Sequence, residues 1–177
     1  MKASAKSSCF SIPKPTNCSM SGAVSVLKNN GDGTFAPKVD YATGKESWAV
    51  FASDLDGDGD IDLVAGNSSS NTVSVLKNNG DGTFAARVDY PVGTQPISVF
   101  ASDLDGDGDF DLEVANVMSN TVSVLMNNGD GTFATKIDHN TGIGPWSVFI
   151  SDLDKDEKND LAVANGIGTI SIFKNNG

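Results

Sequence analysis

The sequence predicts an all-β fold made of β-propeller blades, and three observations support this prediction. The chain of 177 residues repeats itself with a period of 49 residues. Each repeat contains four short runs rich in β-branched and aromatic residues, separated by turn sequences. No segment shows a sustained helical period. Four short antiparallel strands in a repeat of this length are typical of one propeller blade.

The repeat rests on two segments that recur at the same interval. One contains Asn-Gly-Asp-Gly-Thr-Phe and occurs at 25–35, 74–84 and 123–133. The other is rich in aspartate and occurs at 54–63, 103–112 and, altered, at 152–161. The pattern predicts about three four-stranded antiparallel blades in residues 22–177, preceded by an irregular leader in residues 1–21.

The middle repeat shows the predicted elements in chain order. Its four strands are predicted at 97–102, 110–116, 121–126 and 133–138. An aspartate-rich loop joins the first two strands, and a polar link joins the second and third. Asn-Gly-Asp-Gly then predicts a hairpin between the third and fourth. Stacked blades bury their inner strands on both faces, so these runs need not alternate between apolar and polar residues. A β-sandwich is the alternative, but it would not require so regular a period.

Composition excludes several classes of function. With 12 basic and 23 acidic residues the net charge is −11, which opposes binding to nucleic acid. No run approaches the roughly 20 apolar residues of a membrane-spanning helix. A single histidine, His139, leaves little room for imidazole chemistry, and no nucleophile–base pair is visible. We therefore expect a protein that is not an enzyme.

The acidic residues are concentrated in three loops, which we call loop one (54–62), loop two (103–111) and loop three (152–160). Aspartates at alternate positions repel one another unless a hard cation brings them together, and calcium takes six to eight oxygen ligands. The expected ligands in loop one are Asp54, Asp56, Asp58, the carbonyl of Asp60, and Asp62. Those in loop two are Asp103, Asp105, Asp107, the carbonyl of Asp109, and Asp111.

Loop three departs from this pattern. Its matching positions hold Asp152, Asp154, Asp156, Lys158 and Asp160. Lys155 and Glu157 stand where the other loops have glycine, and a side chain with a Cβ disfavours the left-handed conformation. We therefore expect two strong Ca²⁺ sites and a weaker third. Magnesium remains an alternative, whereas zinc is disfavoured because histidine and cysteine ligands are missing.

The sequence resembles the FG-GAP/VCBS repeat family, the calcium-binding propeller repeats that also build the integrin α-subunit head. The resemblance is carried by residues 79–84, 96–99, 103–112 and 114–116. It implies a secreted or cell-surface module that uses structural calcium and binds a glycan or protein ligand, as in adhesion. It leaves two alternatives, an accessory region of a larger secreted enzyme and a structural spacer.

Aromatic residues recur with the repeat as well. Phe35, Phe84 and Phe133 are predicted to pack between blades. Trp48 and Trp146 occupy equivalent positions before the first strand, where they could stack on a sugar, although packing at the blade edge is the favoured interpretation. His139 replaces a repeated tyrosine and is expected at the surface. Cys9 and Cys18, in the leader, are equally consistent with a disulfide or two free thiols.

Three blades are fewer than the four to eight of most propellers. Two arrangements would cover the open sheet faces. In the first, which we favour, the chain is a fragment of a longer protein. In the second, a homo-oligomer closes a ring, and two copies would supply about six blades.

Overall fold

The computed structural model describes residues 21–177, which form thirteen strands and, within that range, no helix. The predicted leader, apart from Ser21, and both cysteines lie outside the described residues. The strands are β1 (Ala23–Val26), β2 (Val39–Ala42), β3 (Ser47–Ser53), β4 (Asp62–Asn67), β5 (Thr72–Leu76), β6 (Val88–Pro91), β7 (Pro96–Ser102), β8 (Asp111–Asn116), β9 (Thr121–Leu125), β10 (Ile137–Asn140), β11 (Pro145–Ser151), β12 (Asp160–Asn165) and β13 (Thr169–Phe173).

These strands form four antiparallel sheets, each a simple meander. Blade A holds β1 and β2, blade B holds β3–β6, blade C holds β7–β10, and blade D holds β11–β13. Blades B and C are complete four-stranded units, and each is flanked by a partial one. The all-β prediction of repeated four-stranded blades in a partial propeller is confirmed.

The blades pack face to face, with their first strands side by side around a common axis. Phe51, Phe100 and Phe149 lie on β3, β7 and β11, and their ring centroids are 4.8 and 6.4 Å apart in succession. One apolar cluster joins blades B and C, and a second joins blades C and D. Every residue of β8, in the middle of this stack, is buried. The continuous apolar runs in the sequence therefore reflect burial on both faces of a blade.

The fourth strand of each blade starts later than predicted. In blade C it begins at Ile137, whereas Phe133 forms only an isolated bridge with Asn127. The hairpin itself is present, closed by a hydrogen bond from Asn128 N to Thr132 O of 2.9 Å. The predicted strand at 133–138 is therefore wrong at its start, because Phe133 turns out of the ladder to pack on the neighbouring blade.

The repeated phenylalanines pack between blades where a preceding blade supplies a partner. The Phe84 ring meets Tyr41 of blade A edge-on at 5.2 Å, and Phe133 meets Tyr90 of blade B at 5.4 Å. Phe35 is exposed. His139 takes the tyrosine position in blade C and lies 5.8 Å from the Phe173 ring of blade D. The tyrosine–phenylalanine pair thus fixes the spacing of adjacent outer strands.

Candidate metal centre

The three acidic loops lie at the same end of neighbouring blades. Each connects the first strand of its blade to the second: β3 to β4, β7 to β8, and β11 to β12. Because the blades repeat one topology, the loops form a row along one rim of the propeller.

The first aspartate of each loop folds the loop around its own carboxylate. The Asp54 oxygens accept hydrogen bonds from the backbone N–H groups of Gly57 and Gly59, at 2.9 and 3.0 Å. Asp103 accepts the equivalent bonds in loop two. The two glycines have φ angles of 73° and 90°, a left-handed conformation that glycine adopts without steric strain. This local chemistry brings alternate aspartates onto one side of the loop.

In each loop, one carboxylate oxygen from each of three aspartates lies within 4.8 Å of the other two. The groups are Asp54, Asp56 and Asp58; Asp103, Asp105 and Asp107; and Asp152, Asp154 and Asp160. The other predicted ligands are outside these groups: Asp60, Asp62, Asp109, Asp111, Asp156 and Lys158. For Asp60, Asp109 and Lys158 the predicted ligand is a main-chain carbonyl, which does not require the side chain to converge.

The last aspartate of each loop is buried and fastens the loop to its blade. In loop two the Asp111 oxygens accept hydrogen bonds from Leu104 N at 3.1 Å and Asn127 N at 2.8 Å. Burial raises the pKa of Asp111 to about 6, nearby Asp105 and Asp107 add to the rise, and the two backbone hydrogen bonds oppose it. Asp62 and Asp160 accept the same pair of bonds in their loops. A cation beside these carboxylates would favour their ionised form.

Loop three keeps the same backbone path without the glycines. Lys155 and Glu157 have φ angles of 67° and 69°, and both N–H groups still donate to Asp152, at 2.6 and 3.1 Å. Its three converging carboxylates include Asp160 in place of Asp156. Loop three thus has the acidic group but holds two ordinary residues in a strained conformation.

The donor sets fit a hard cation such as calcium. All the converging atoms are carboxylate oxygens, which calcium prefers and binds in flexible geometry. In loop one the Asp56 Oδ1 atom is buried and has no hydrogen-bond partner among the described residues. A buried carboxylate oxygen without a partner is unfavourable, and an ion at the centre of the group would satisfy it.

Asparagine side chains join the loops of adjacent blades, a feature the sequence analysis missed. Asn127 Nδ2 of blade C donates to the Leu55 carbonyl of loop one at 2.8 Å. Asn175 Nδ2 of blade D donates to the Leu104 carbonyl of loop two at 2.6 Å. Asn159 Nδ2 of loop three reaches the Asp103 carbonyl at 2.8 Å. The only sequence signal for these bridges was that the first asparagine of Asn-Asn-Gly recurs in each repeat. That recurrence did not reveal which carbonyl group the asparagine contacts.

The repeated tryptophans are a second feature of the blades, on β3 and β11. In each blade the ladder between the first two strands skips one residue, and the skipped residues are Trp48, Ile97 and Trp146. Such a β-bulge redirects its side chain. Trp48 is 61% exposed and Trp146 is 62% exposed. Both indoles are therefore mostly exposed, and packing at the blade edge, the favoured interpretation, stays a prediction.

Taken together, the stacked meanders and the row of acidic loops define a β-propeller repeat protein. A family model described as FG-GAP-like repeat matches residues 16–65, 54–114 and 103–163. The chain belongs to the FG-GAP-like repeat family, as its motifs predicted.

Two solved structures are similar to this chain. An Agrocybe aegerita lectin that recognises non-reducing terminal N-acetylglucosamine is 25% identical, with a TM-score of 0.53 over 87% of this chain and 47% of the lectin. The Photorhabdus luminescens Tc holotoxin pore is 21% identical, with a TM-score of 0.49 over 85% of this chain and 8% of the toxin chain. The chain thus spans less than half the length of either structure. No curated protein matches in sequence. Among the described residues, no helix is long and apolar enough to cross a membrane.

Proposed function

We propose that this chain is a calcium-stabilised β-propeller module that acts by binding a ligand, outside the cell or at its surface, and not by catalysis. The observation that carries this proposal is the row of three carboxylate groups at one rim of the blades. Bound calcium would supply positive charge there and would be coordinated by the oxygen ligands of the loops. The residues that would hold it are the aspartates converging in each loop, with the carbonyls of Asp60, Asp109 and Lys158 as further oxygen donors.

The chain's own residues give such an ion a structural role. Each acidic group closes the connection between the two innermost strands of a blade, and the asparagine bridges tie that connection to the next blade. Neutralising the aspartates removes a like-charge repulsion at this rim. We expect calcium to raise the melting temperature without altering the far-ultraviolet spectrum.

Calcium binding is tested by calorimetric titration after chelator treatment, together with thermal melts in calcium, magnesium and chelator. Replacing Asp54, Asp103 and Asp152 with asparagine should abolish the heat of binding and the stabilisation by calcium. A wild-type melting temperature that is the same in calcium and chelator would overturn the structural role. Equal responses to calcium and magnesium would overturn the assignment to calcium.

A glycan is the ligand class that the comparison with the lectin favours. The lectin shares the fold over most of this chain, and the exposed indoles of Trp48 and Trp146 are suited to stacking on a sugar ring. An array that includes terminal N-acetylglucosamine tests this directly. Binding should disappear when both tryptophans are changed to alanine and persist in Val88→Ala, which alters an exposed apolar residue on the outer strand β6.

Binding to matrix proteins alone would favour a protein ligand, and silence on both arrays would favour a structural spacer. The accessory-region alternative remains open, and the sequence flanking this region in its gene would test it.

A second copy of this chain is a further candidate partner, supported by the open face of blade D. Ile170 and Ile172 are exposed there, whereas the equivalent Val122 and Val124 of blade C are buried under blade D. A further blade of the same repeat would cover them. Light scattering in about 1 mM calcium, within the range of extracellular calcium modules, tests this arrangement. A dimer of twice 18.3 kDa would support self-assembly, and a stable monomer would contradict it.

A further inference from the structure

One position of the repeat places a lysine against the acidic loops in two blades, but not in the third. It follows the third strand of each repeat and holds Lys28, Lys77, Met126 and Lys174. Lys77 Nζ lies 3.2 Å from Asp56 Oδ2 of loop one, and Lys174 Nζ lies 2.8 Å from Asp154 Oδ2 of loop three. Both aspartates belong to the converging groups.

Loop two lacks this contact. Within residues 21–177, no lysine or arginine forms an ion pair with Asp103, Asp105 or Asp107. Met126 packs instead against the apolar cluster between blades C and D. Two other lysines lie in this region, because Lys158 and Lys174 each line a cavity that Asp105 also lines. However, the ammonium group of Lys174 pairs with Asp154, and that of Lys158 lies against Gly177.

We propose that Lys77 and Lys174 are tethered competitors of calcium, so that loop two is the tightest of the three sites and fills first. This ranking rests on the proposed function, since it requires that the loops bind calcium. An ammonium group touching a ligand carboxylate occupies one of its oxygens and repels a divalent ion a few ångströms away. Loop three ranks last because it also carries Lys155, Glu157 and Lys158 where loop one has Gly57, Gly59 and Asp60.

The contacts of Lys77 give the competition a physical basis. Its ammonium group also donates to the Asp130 carbonyl in the turn of blade C, so the side chain is held between two blades. About a third of the Lys77 side chain is exposed, and its partner Asp56 is mostly buried. Screening by water and salt is therefore incomplete. We expect the charge of Lys77 to weaken calcium binding at loop one by about tenfold near physiological ionic strength.

The test is a calcium titration by calorimetry and native mass spectrometry, with four variants. The wild type should show one tight site and two weaker ones, and Asp105→Asn should remove the tight site. Lys77→Met should create a second tight site, about tenfold stronger than the original loop one. Met126→Lys should weaken the tight site by a similar factor. Lys28→Met is the matched control, because the Lys28 ammonium contacts the Asp81 carbonyl and none of the three loops.

The outcomes separate this ranking from the proposed function. Absence of any calcium binding overturns both. Binding at three equal sites, or a Lys77→Met variant that binds like the wild type, overturns the ranking and leaves calcium binding intact. Lys77→Met acts at a partly exposed side chain, so its result does not depend on whether Met126→Lys folds. A higher calcium affinity in Lys28→Met would also overturn the ranking, because general charge would then explain the effect.

Discussion

Replacing Glu113 with valine should stabilise this protein. Glu113 lies in the middle of β8, fully buried, with Phe100 and Val124 as its partners on the adjacent strands. Its Oε1 accepts a hydrogen bond from Ser102 Oγ at 2.7 Å, while Oε2 is buried with no partner among the described residues. The equivalent residue in blade B is Val64. A valine therefore already fits this place in the fold.

The magnitude follows from the two carboxyl oxygens. Removing a buried polar atom that has no partner gains about 1–3 kcal/mol, and losing the bond to Ser102 costs about 1 kcal/mol. The net expectation is up to about 2 kcal/mol of added stability. For a chain of this size that corresponds to a rise of up to about 8 °C in melting temperature. Blade B already combines Ser53, the repeat equivalent of Ser102, with Val64, so a serine is tolerated at this position when valine replaces the glutamate.

The effect should depend on pH. Burial raises the pKa of Glu113 well above its ordinary value, with Asp111 adding to the rise and the Ser102 hydrogen bond opposing it. Once the pH exceeds the unfolded value of about 4.3, the unfolded chain releases this proton while the folded chain retains it. The folded state then binds more protons, so the stability of the wild type falls as the pH rises. The advantage of Glu113→Val should therefore be larger at pH 7 than at pH 4.

Urea unfolding of the wild type, Glu113→Val and Glu113→Gln at both pH values tests this, with and without calcium. Glutamine is the matched control, because it keeps the polar shape but cannot ionise. It should remove the contribution of Glu113 to the pH dependence and give little stabilisation at pH 4. A Glu113→Val variant that unfolds at lower urea than the wild type would refute the reasoning. So would an advantage that is the same at both pH values.

Two further substitutions test the turn chemistry. Glu157→Gly should stabilise loop three by about 0.5–1 kcal/mol, because Glu157 has a φ of 69°. Lys158→Gly, whose φ is not positive, should not stabilise it, and thermal melts that rank the two variants in the opposite order would contradict the strain argument. Gly93→Ala should destabilise the protein by about 2 kcal/mol or more, since the new Cβ would lie 2.6 Å from the Asn116 amide. The control Gly66→Ala meets nothing closer than 3.5 Å, and equal melting temperatures for these two alanine variants would disprove the steric explanation.

The fold could be predicted because its information is local and repeated. The hairpin before each fourth strand is encoded by Asn-Gly-Asp-Gly, and the acidic loops by alternating aspartates, with glycines at the left-handed positions of loops one and two. The start of the fourth strand was missed because Phe133 leaves the ladder to meet Tyr90 on another blade. The exposure of Trp48 depends on a bulge, which shifts the register without a distinctive sequence.

The candidate metal site likewise has a part that the sequence predicts and a part that it does not. The positions of Asp54, Asp56 and Asp58 in one group follow from their spacing within a single loop. The contact of Lys77 with Asp56 joins residues 21 positions apart, and the bond from Asn127 to Leu55 joins residues 72 positions apart. Contacts of this kind depend on how strands and blades are placed in space, which local patterns do not specify.

The asparagine bridges link neighbouring blades along the rim of the propeller into a linear array. Loops one and two are each fastened to the next blade by asparagine side chains, and stability in such arrays is approximately a sum of unit and nearest-neighbour terms. Loop two lies in the interior of the described row. Asn127 of its own blade donates a hydrogen bond to loop one, and Asn159 and Asn175 of blade D donate hydrogen bonds to loop two. Opening should therefore begin at the terminal units and move inward. Hydrogen exchange at this rim would be slowest in blade C.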